Sequence, residues 1–270
     1  MASPRVMVLR APGTNCDHET AHAFSRCGAT AERLHLFRLL ESPALLEHAQ
    51  ILCIPGGFSY GDDVGAGAVF GTQMRTRLAD GLRAFVEAGK LVLGICNGFQ
   101  VLMRSGLLPR GVSGDSSGNA AGPDATLTWN AGGRYTDRWV HTRVPDTKCV
   151  FLRGLTRLDL PVAHAEGRIV PKSAETVAAW AAAGQIALRY ADPATGESSD
   201  ETLPAPTNPN GSFANIAGLC DPTGRVFGLM PHPERHMDAT QHPRWTRRDN
   251  DPNGEGDGLA IFRNGVRYFE

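Results

Sequence analysis

A run of five apolar or small residues, Leu91-Val92-Leu93-Gly94-Ile95, leads straight into Cys96, and glycines stand two positions to either side of that cysteine, at Gly94 and Gly98. An unbroken apolar run of this length marks a buried strand of a parallel sheet. Phe99, Val101, Leu102 and Met103 then open a helix. A cysteine between such a strand and such a helix sits on a sharp turn, with glycines where a Cβ would clash. The helix N-terminus behind the sulfur favours thiolate over thiol, whose free pKa is about 8.5. The plain alternative is a small buried cysteine in a core turn. What decides between them is the rest of the chain.

Residues 5–10 form a short strand, followed by the turn Ala11-Pro12-Gly13-Thr14-Asn15 and a helix from Cys16 or Asp17 to Arg26, stopped by Gly28. Residues 31–37 alternate as a second strand, 43–48 make a short helix, and 50–54 a third strand. This β-α-β-α-β order predicts an α/β fold, with a mostly parallel central sheet and helices on both faces. The loop 55–71 carries Gly56, Gly57, Gly61, Gly65, Gly67 and Gly71. It lacks Gly-Lys-Ser/Thr and does not open a helix with G-x-G-x-x-G, so a nucleotide is a poor fit. Its glycines can instead bare backbone N–H groups toward a substrate oxygen. From Thr72 the positions Met74, Leu78, Leu82, Phe85 and Val86 have the spacing of one amphipathic helix, ended by Gly89.

Further on, 111–124 reads as a solvated polar loop within one domain of residues 1–270. Residues 125–129 and 138–144 suggest strands that could pair antiparallel, as a small addition to the main sheet. Residues 160–164 run on through 165–167 into 168–170, 173–183 form a helix, and 185–190 a strand. A long polar loop follows over 192–212. The strand 224–230 delivers Pro231-His232-Pro233-Glu234, and a turn-rich extension over 238–270 ends in Leu259, Phe262, Val266 and Phe269 at helical spacing.

The chain has 270 residues, 41% of them hydrophobic, enough to build a core without staples. A formal net charge of -1 and the absence of a basic run argue against nucleic acid or a membrane surface as partner. The six cysteines form no C-x-x-C pair, and no apolar stretch has the length of a membrane span. Reduced thiols in a cytoplasmic protein are expected, with Cys16, Cys27, Cys53, Cys149 and Cys220 inert and no metal site.

Hydrolysis through a cysteine needs a base near the sulfur and a third group to hold that base. His232 and Glu234 supply both at the end of an apolar strand, stiffened by Pro231 and Pro233. Chemistry in a parallel sheet gathers at the carboxyl ends of its strands, where Cys96 and His232 both stand.

These residues carry a resemblance. Gly94-x-Cys96-x-Gly98-x-Gln100 with His232-x-Glu234 resembles the class I, or triad, glutamine amidotransferases, whose fold is flavodoxin-like. Within that family the chain is most similar to the glutaminase subunits of phosphoribosylformylglycinamidine synthase, an enzyme of purine biosynthesis. The matching stretches are residues 11–17 (Ala-Pro-Gly-Thr-Asn-Cys-Asp), 55–62 (Pro-Gly-Gly-Phe-Ser-Tyr-Gly-Asp), 94–100 (Gly-Ile-Cys-Asn-Gly-Phe-Gln), 163–167 (Ala-His-Ala-Glu-Gly), 208–212 (Asn-Pro-Asn-Gly-Ser) and 230–235 (Met-Pro-His-Pro-Glu-Arg); Asn97 after the cysteine, the loop 58–62 and the turn 15–17 carry the narrower likeness.

The resemblance implies that Cys96 attacks the carboxamide of glutamine, that His232 moves the proton, and that Glu234 orients His232. It implies an oxyanion hole from the N–H groups of Gly57 and Asn97, and a glutamine pocket shaped by Gln100. Glutamate is released, and ammonia passes to a separate synthetase subunit. That partner, not this chain, would hold ATP and Mg; no cofactor is expected here. Two assemblies stay open: a small synthetase with a small accessory subunit, or a larger synthetase docking this chain in trans. His164 and Glu166 are expected to support the pocket wall. Competing readings are a silent amidotransferase-like regulatory module, and a glutaminase or cysteine hydrolase serving another pathway.

Overall fold

The computed structural model describes residues 3–111, 123–248 and 251–270; most of the loop 111–124 therefore lies outside the described residues. The first half runs β1 (Arg5–Arg10), α1 (Asp17–Arg26), β2 (Thr30–His35), α2 (Leu36–Glu41), β3 (Ile51–Ile54), α3 (Ala68–Arg77), α4 (Ala79–Glu87), β4 (Leu91–Ile95) and α5 (Asn97–Ser105). The second half runs β5 (Ala125–Thr128), β6 (Thr136–Arg143), β7 (Arg157–His164), β8 (Arg168–Pro171), α6 (Ala174–Ala182), β9 (Ile186–Tyr190), β10 (Ile216–Cys220), β11 (Val226–Leu229) and α7 (Leu259–Arg267). One nine-stranded sheet has the order β2-β1-β3-β4-β11-β10-β9-β6-β7. Its first five strands are parallel, and the antiparallel addition continues the same sheet through β10, β9, β6 and β7.

The parallel strands are apolar throughout because both their faces are covered. Every residue of β3 and β4 is buried. Gly94 pairs with Ile54, so the two share a face, and that face meets Gly98 and Leu102 of α5. Ile51 lies three positions from Ile54, on the opposite face, where it meets Gly265 of α7. Helices α5 and α7 therefore sandwich the sheet. The C-terminal extension packs back as its spacing predicts: Phe262 meets Phe24 of α1 edge-to-face at 4.9 Å, and Asn264 Nδ2 donates to the carbonyls of Phe151 and Arg153.

Four local expectations are corrected. The helix read from Thr72 begins at Ala68 and is two helices, broken at Leu78 (φ −122°, ψ 4°). Leu78 N still donates to Met74 O and Leu82 N to Leu78 O, so the side-chain spacing stays helical across the break. The strand read over 31–37 stops at His35, whose Nδ1 accepts from Phe37 N and caps α2. Residues 125–129 and 138–144 do not pair with each other. β5 pairs with β8 in a separate two-stranded sheet, and β6 pairs with β7 over eight residues. The strand read from 160 through 170 is two: β7 ends at His164 and β8 starts at Arg168, in different sheets. Strand β10 is an addition to the sequence reading; Asp221 Oδ1 builds its hairpin to β11 by accepting from Arg225 N and Val226 N.

The approach of α5 to the sheet depends on Gly98. A Cβ there would lie 1.8 Å from the carbonyl oxygen of Ile54, a backbone atom fixed by the β3–β4 ladder. Gly98→Ala is expected to destabilise the fold by about 3 kcal/mol or more. Chemical denaturation measures it; an unchanged midpoint refutes the close approach.

Candidate active site

Cys96 follows β4 directly and precedes α5, at φ 51° and ψ −104°. Few non-glycine residues hold a positive φ, and strain of this kind gathers at functional sites. The turn is clamped on both sides. Cys96 N donates to Leu229 O at 2.8 Å, and Cys96 O accepts from Phe99 N and Gln100 N. The side chain is buried, with Sγ 3.7 Å from the Ala163 carbonyl oxygen at the end of β7.

His232 leaves the end of β11, the strand beside β4, and its N–H donates to Pro161 O at 2.8 Å. Its Nδ1 lies 2.6 Å from Glu234 Oε1, with both side chains inside the protein. Nε2 has no hydrogen-bond partner among the described residues. Burial acts to lower the pKa of this imidazole. The Glu234 carboxylate, then the charge of Cys96 and the closeness of the Cys16 and Cys96 sulfurs, outweigh burial and hold it well above 6.5. The structure thus brings Cys96, His232 and Glu234 together from positions far apart in the chain.

Gly57, Asn97 and Gln100 border the same turn. Gly57 (φ 143°) bridges to Thr14, and a Cβ there would come within 2.8 Å of Asn15 N, Gly13 O and Thr14 Cα. Asn97 opens α5, so its N–H belongs to the first turn, where no intrahelical acceptor exists. Its side chain is a brace. Oδ1 accepts from Ser59 N at 3.1 Å, while Nδ2 donates to Asp62 Oδ1 and Gln100 Oε1. Gln100 Nε2 in turn donates to the Glu166 carbonyl. Both amides therefore tie the 59–62 loop and the 164–167 segment to α5. Burial, then the nearby Glu166 carboxylate, raise Asp62 to about 6.

Cys16, expected to be inert, lies against the site. Its Sγ is 4.0 Å from His232 Nδ1; it donates to Asn15 Oδ1 at 3.1 Å and accepts from Arg235 Nη2 at 3.2 Å. Burial pushes this thiol up to about 11, so it stays protonated. A Cβ on Gly56 would strike His232 Cε1 at 2.7 Å and Cys16 Sγ at 3.1 Å, so glycine lets the imidazole lie against the loop. The ligand atoms of Cys16, His232 and Glu234 fall within 4.8 Å of one another. The Nδ1–Glu234 bond and the Arg235 cation against the sulfur suit a hydrogen-bonded cluster better than a second cation.

Two further features border the site. Tyr135, on the turn before β6, stacks with Phe58 at 6.3 Å, and its phenol feels the charges of Cys96 and His232. Asn210 Nδ2 donates to Gly167 O and Tyr190 Oη, and Ser212 Oγ donates to Gly167 O, so the 208–212 stretch buttresses the 164–167 segment. No helix of the described residues is long and apolar enough to cross a membrane.

Comparison with known proteins matches the same span. The family model of the CobB/CobQ-like glutamine amidotransferase domain matches residues 3–269. Phosphoribosylformylglycinamidine synthase subunit PurQ of Dehalococcoides mccartyi is 43% identical over 269 residues, covering 99% of this chain and 98% of the relative. The PurQ subunit of Archaeoglobus fulgidus is 40% identical over 278 residues, covering 98% and 97%. Among solved structures, a chain of PurLQS from Thermotoga maritima superposes with a TM-score of 0.71 at 29% identity, each chain covered in full.

Proposed function

This chain belongs to the CobB/CobQ-like glutamine amidotransferase family, and on that premise we propose that it is the glutaminase subunit of a phosphoribosylformylglycinamidine synthase. The observation that supports this best is the buried cluster in which Cys96, on a positive-φ turn, shares a site with an imidazole held by Glu234. The Cys96 sulfur attacks the carboxamide carbon of glutamine. The negative charge on the carbonyl oxygen is met by the N–H groups of Gly57 and Asn97. The C–N bond breaks as His232 gives its proton to the departing nitrogen, leaving ammonia and a glutamyl thioester. Water, deprotonated by His232, then opens the thioester to glutamate and restores the thiol.

Cys16 and Arg235 stand behind the imidazole and act only by packing and charge. The ammonia is consumed by a synthetase partner, which carries ATP and Mg and converts formylglycinamide ribonucleotide to formylglycinamidine ribonucleotide. The similar Thermotoga chain is part of PurLQS, and that likeness favours the assembly with a small synthetase and a small accessory subunit. A cytoplasmic location suits a subunit of a purine-biosynthetic enzyme. A silent regulatory module is disfavoured because cysteine, histidine and carboxylate are all present and adjoining.

The test is reconstitution. Purified chain, synthetase, glutamine, ATP and formylglycinamide ribonucleotide should yield glutamate and the amidine product in equal amounts. The chain alone should hydrolyse glutamine at least about tenfold more slowly, the scale of ordering one loop on docking. Absence of glutamate from the full mixture rejects the assignment; equal rates with and without synthetase reject its dependence on docking.

A further inference from the structure

His164 ends β7 and is buried, yet nothing in the proposed reaction uses it. Its hydrogen bonds determine its tautomer. Asn130 Nδ2 donates to Arg134 O, Thr136 Oγ1 and His164 O, so the amide cannot be turned round. Asn130 Oδ1 is therefore the acceptor; it already takes Gly167 N–H at 3.1 Å, and it faces His164 Nδ1 at 3.1 Å. Nδ1 must carry the proton. Nε2 is then a bare lone pair, and it has no partner among the described residues. Burial, then the charge of His232, lower the pKa to about 3, so the ring stays neutral. Gly167 lies flat against it: a Cβ there would come within 2.2 Å of Cε1, so the ring cannot turn to find another partner.

A buried acceptor in a ring locked at its other nitrogen is a ready hydrogen-bond site for an N–H donor. β7 is the wall behind the site. Its Pro161 carbonyl takes the N–H of His232, and its Ala163 carbonyl faces the Cys96 sulfur, so His164 is the next residue along that wall. At the carbon that Cys96 attacks, the N–H donors the reaction supplies are the carboxamide nitrogen of glutamine and the ammonia it becomes. We propose that Nε2 of His164 accepts a hydrogen bond from the carboxamide nitrogen of glutamine and keeps it as that nitrogen leaves Cys96 as ammonia. His232 supplies the proton that completes ammonia. His164, with no proton at Nε2, can hold the product without converting it to ammonium, which would no longer be a nucleophile for the synthetase. This inference rests on the glutaminase reading above and adds to it a subsite for the nitrogen.

Two variants separate this role from a structural one in the complex with synthetase. His164→Asn keeps a donor near Nδ1 for Asn130 but removes the acceptor at Nε2. His164→Gln reaches the Nε2 position with an amide oxygen and gives up the link to Asn130. Glutamate release in His164→Asn should fall about tenfold or more, the loss of one hydrogen bond to a reacting group, with His164→Gln within about threefold of wild type. Inactivation by a chloroketone analogue of glutamine, which has no amide nitrogen, should proceed at the wild-type rate in both. Full activity in His164→Asn, equal losses in both, or a parallel slowing of alkylation each overturn the subsite. If neither variant folds, nitrogen NMR of a Cys96→Ala protein decides. The Nε2 resonance should move when glutamine binds and stay put with glutamate; no movement with glutamine overturns the proposal. Should wild-type protein neither release glutamate nor react with the analogue, the glutaminase reading fails instead.

Discussion

Cys96→Ala should leave a complex that makes no amidine product from glutamine and makes it at the wild-type rate from ammonium salts. Removing a covalent nucleophile forecloses the thioester route altogether, so the loss should reach a factor of about 10³ or more in glutamine-dependent kcat. The synthetase reaction is spared because the cysteine acts only on the source of nitrogen. The same position supplies a stability test. Cys96 holds φ 51° and ψ −104°, strain worth about 1–3 kcal/mol in a non-glycine residue. Glycine is indifferent to that conformation, so Cys96→Gly should melt no lower than Cys96→Ala, despite the backbone entropy that glycine usually forfeits. Retained glutaminase activity in either variant would move the nucleophile elsewhere. A glycine variant much less stable than the alanine variant would remove the strain argument.

The parallel half of the fold was readable from residues alone because a strand covered on both faces must be apolar throughout. β3 and β4 are unbroken runs for that reason. Pairing among the later strands was not readable. β5 and β6 lie close together in the chain, yet their partners, β8 and β7, are chosen by sheet packing that adjacency does not encode. The edge strand β2 shows the same limit: mostly open to solvent, it alternates too loosely to mark its end at His35.

In the site, Cys96, His232 and Glu234 could be placed because Cys96 directly follows β4 and the other two lie just beyond the end of β11. Cys16 could not. Its contact with His232 joins residues 216 positions apart, and nothing in the Asn15-Cys16-Asp17 turn reveals that a sulfur will lie beneath the imidazole. The side chains of Asn97 and Gln100 mark a related limit. Their positions identify them with the glutamine pocket, but their amides are spent on holding its walls, a distinction that only hydrogen-bond geometry makes.

Replacing Glu234 by glutamine should cost nearly as much as losing the nucleophile, through the tautomer of His232. The wild-type carboxylate can only accept, so Nδ1 carries the proton and Nε2 is left to exchange one with the cysteine. A glutamine amide can donate to Nδ1 and place the proton on Nε2, the wrong side for a base; a fall of about 10²–10⁴ in kcat is expected. The pH dependence follows from the direction of the His232 shift. Its folded-state pKa lies well above the unfolded value of about 6.5, so the protonated imidazole favours the folded protein. That contribution is complete below about pH 6.5 and disappears as pH rises through the raised folded-state value. Without the Glu234 charge, the largest influence opposing burial is gone, and the ring's pKa falls. The gap in melting temperature between wild type and Glu234→Gln should therefore be widest near pH 6 and narrow steadily in alkaline buffer. The acidic limb of the kcat profile should move to lower pH in the variant. Overlapping profiles, or a gap that widens with alkalinity, would mean that Glu234 does not set the charge of this imidazole, and its part in the reaction would have to be withdrawn.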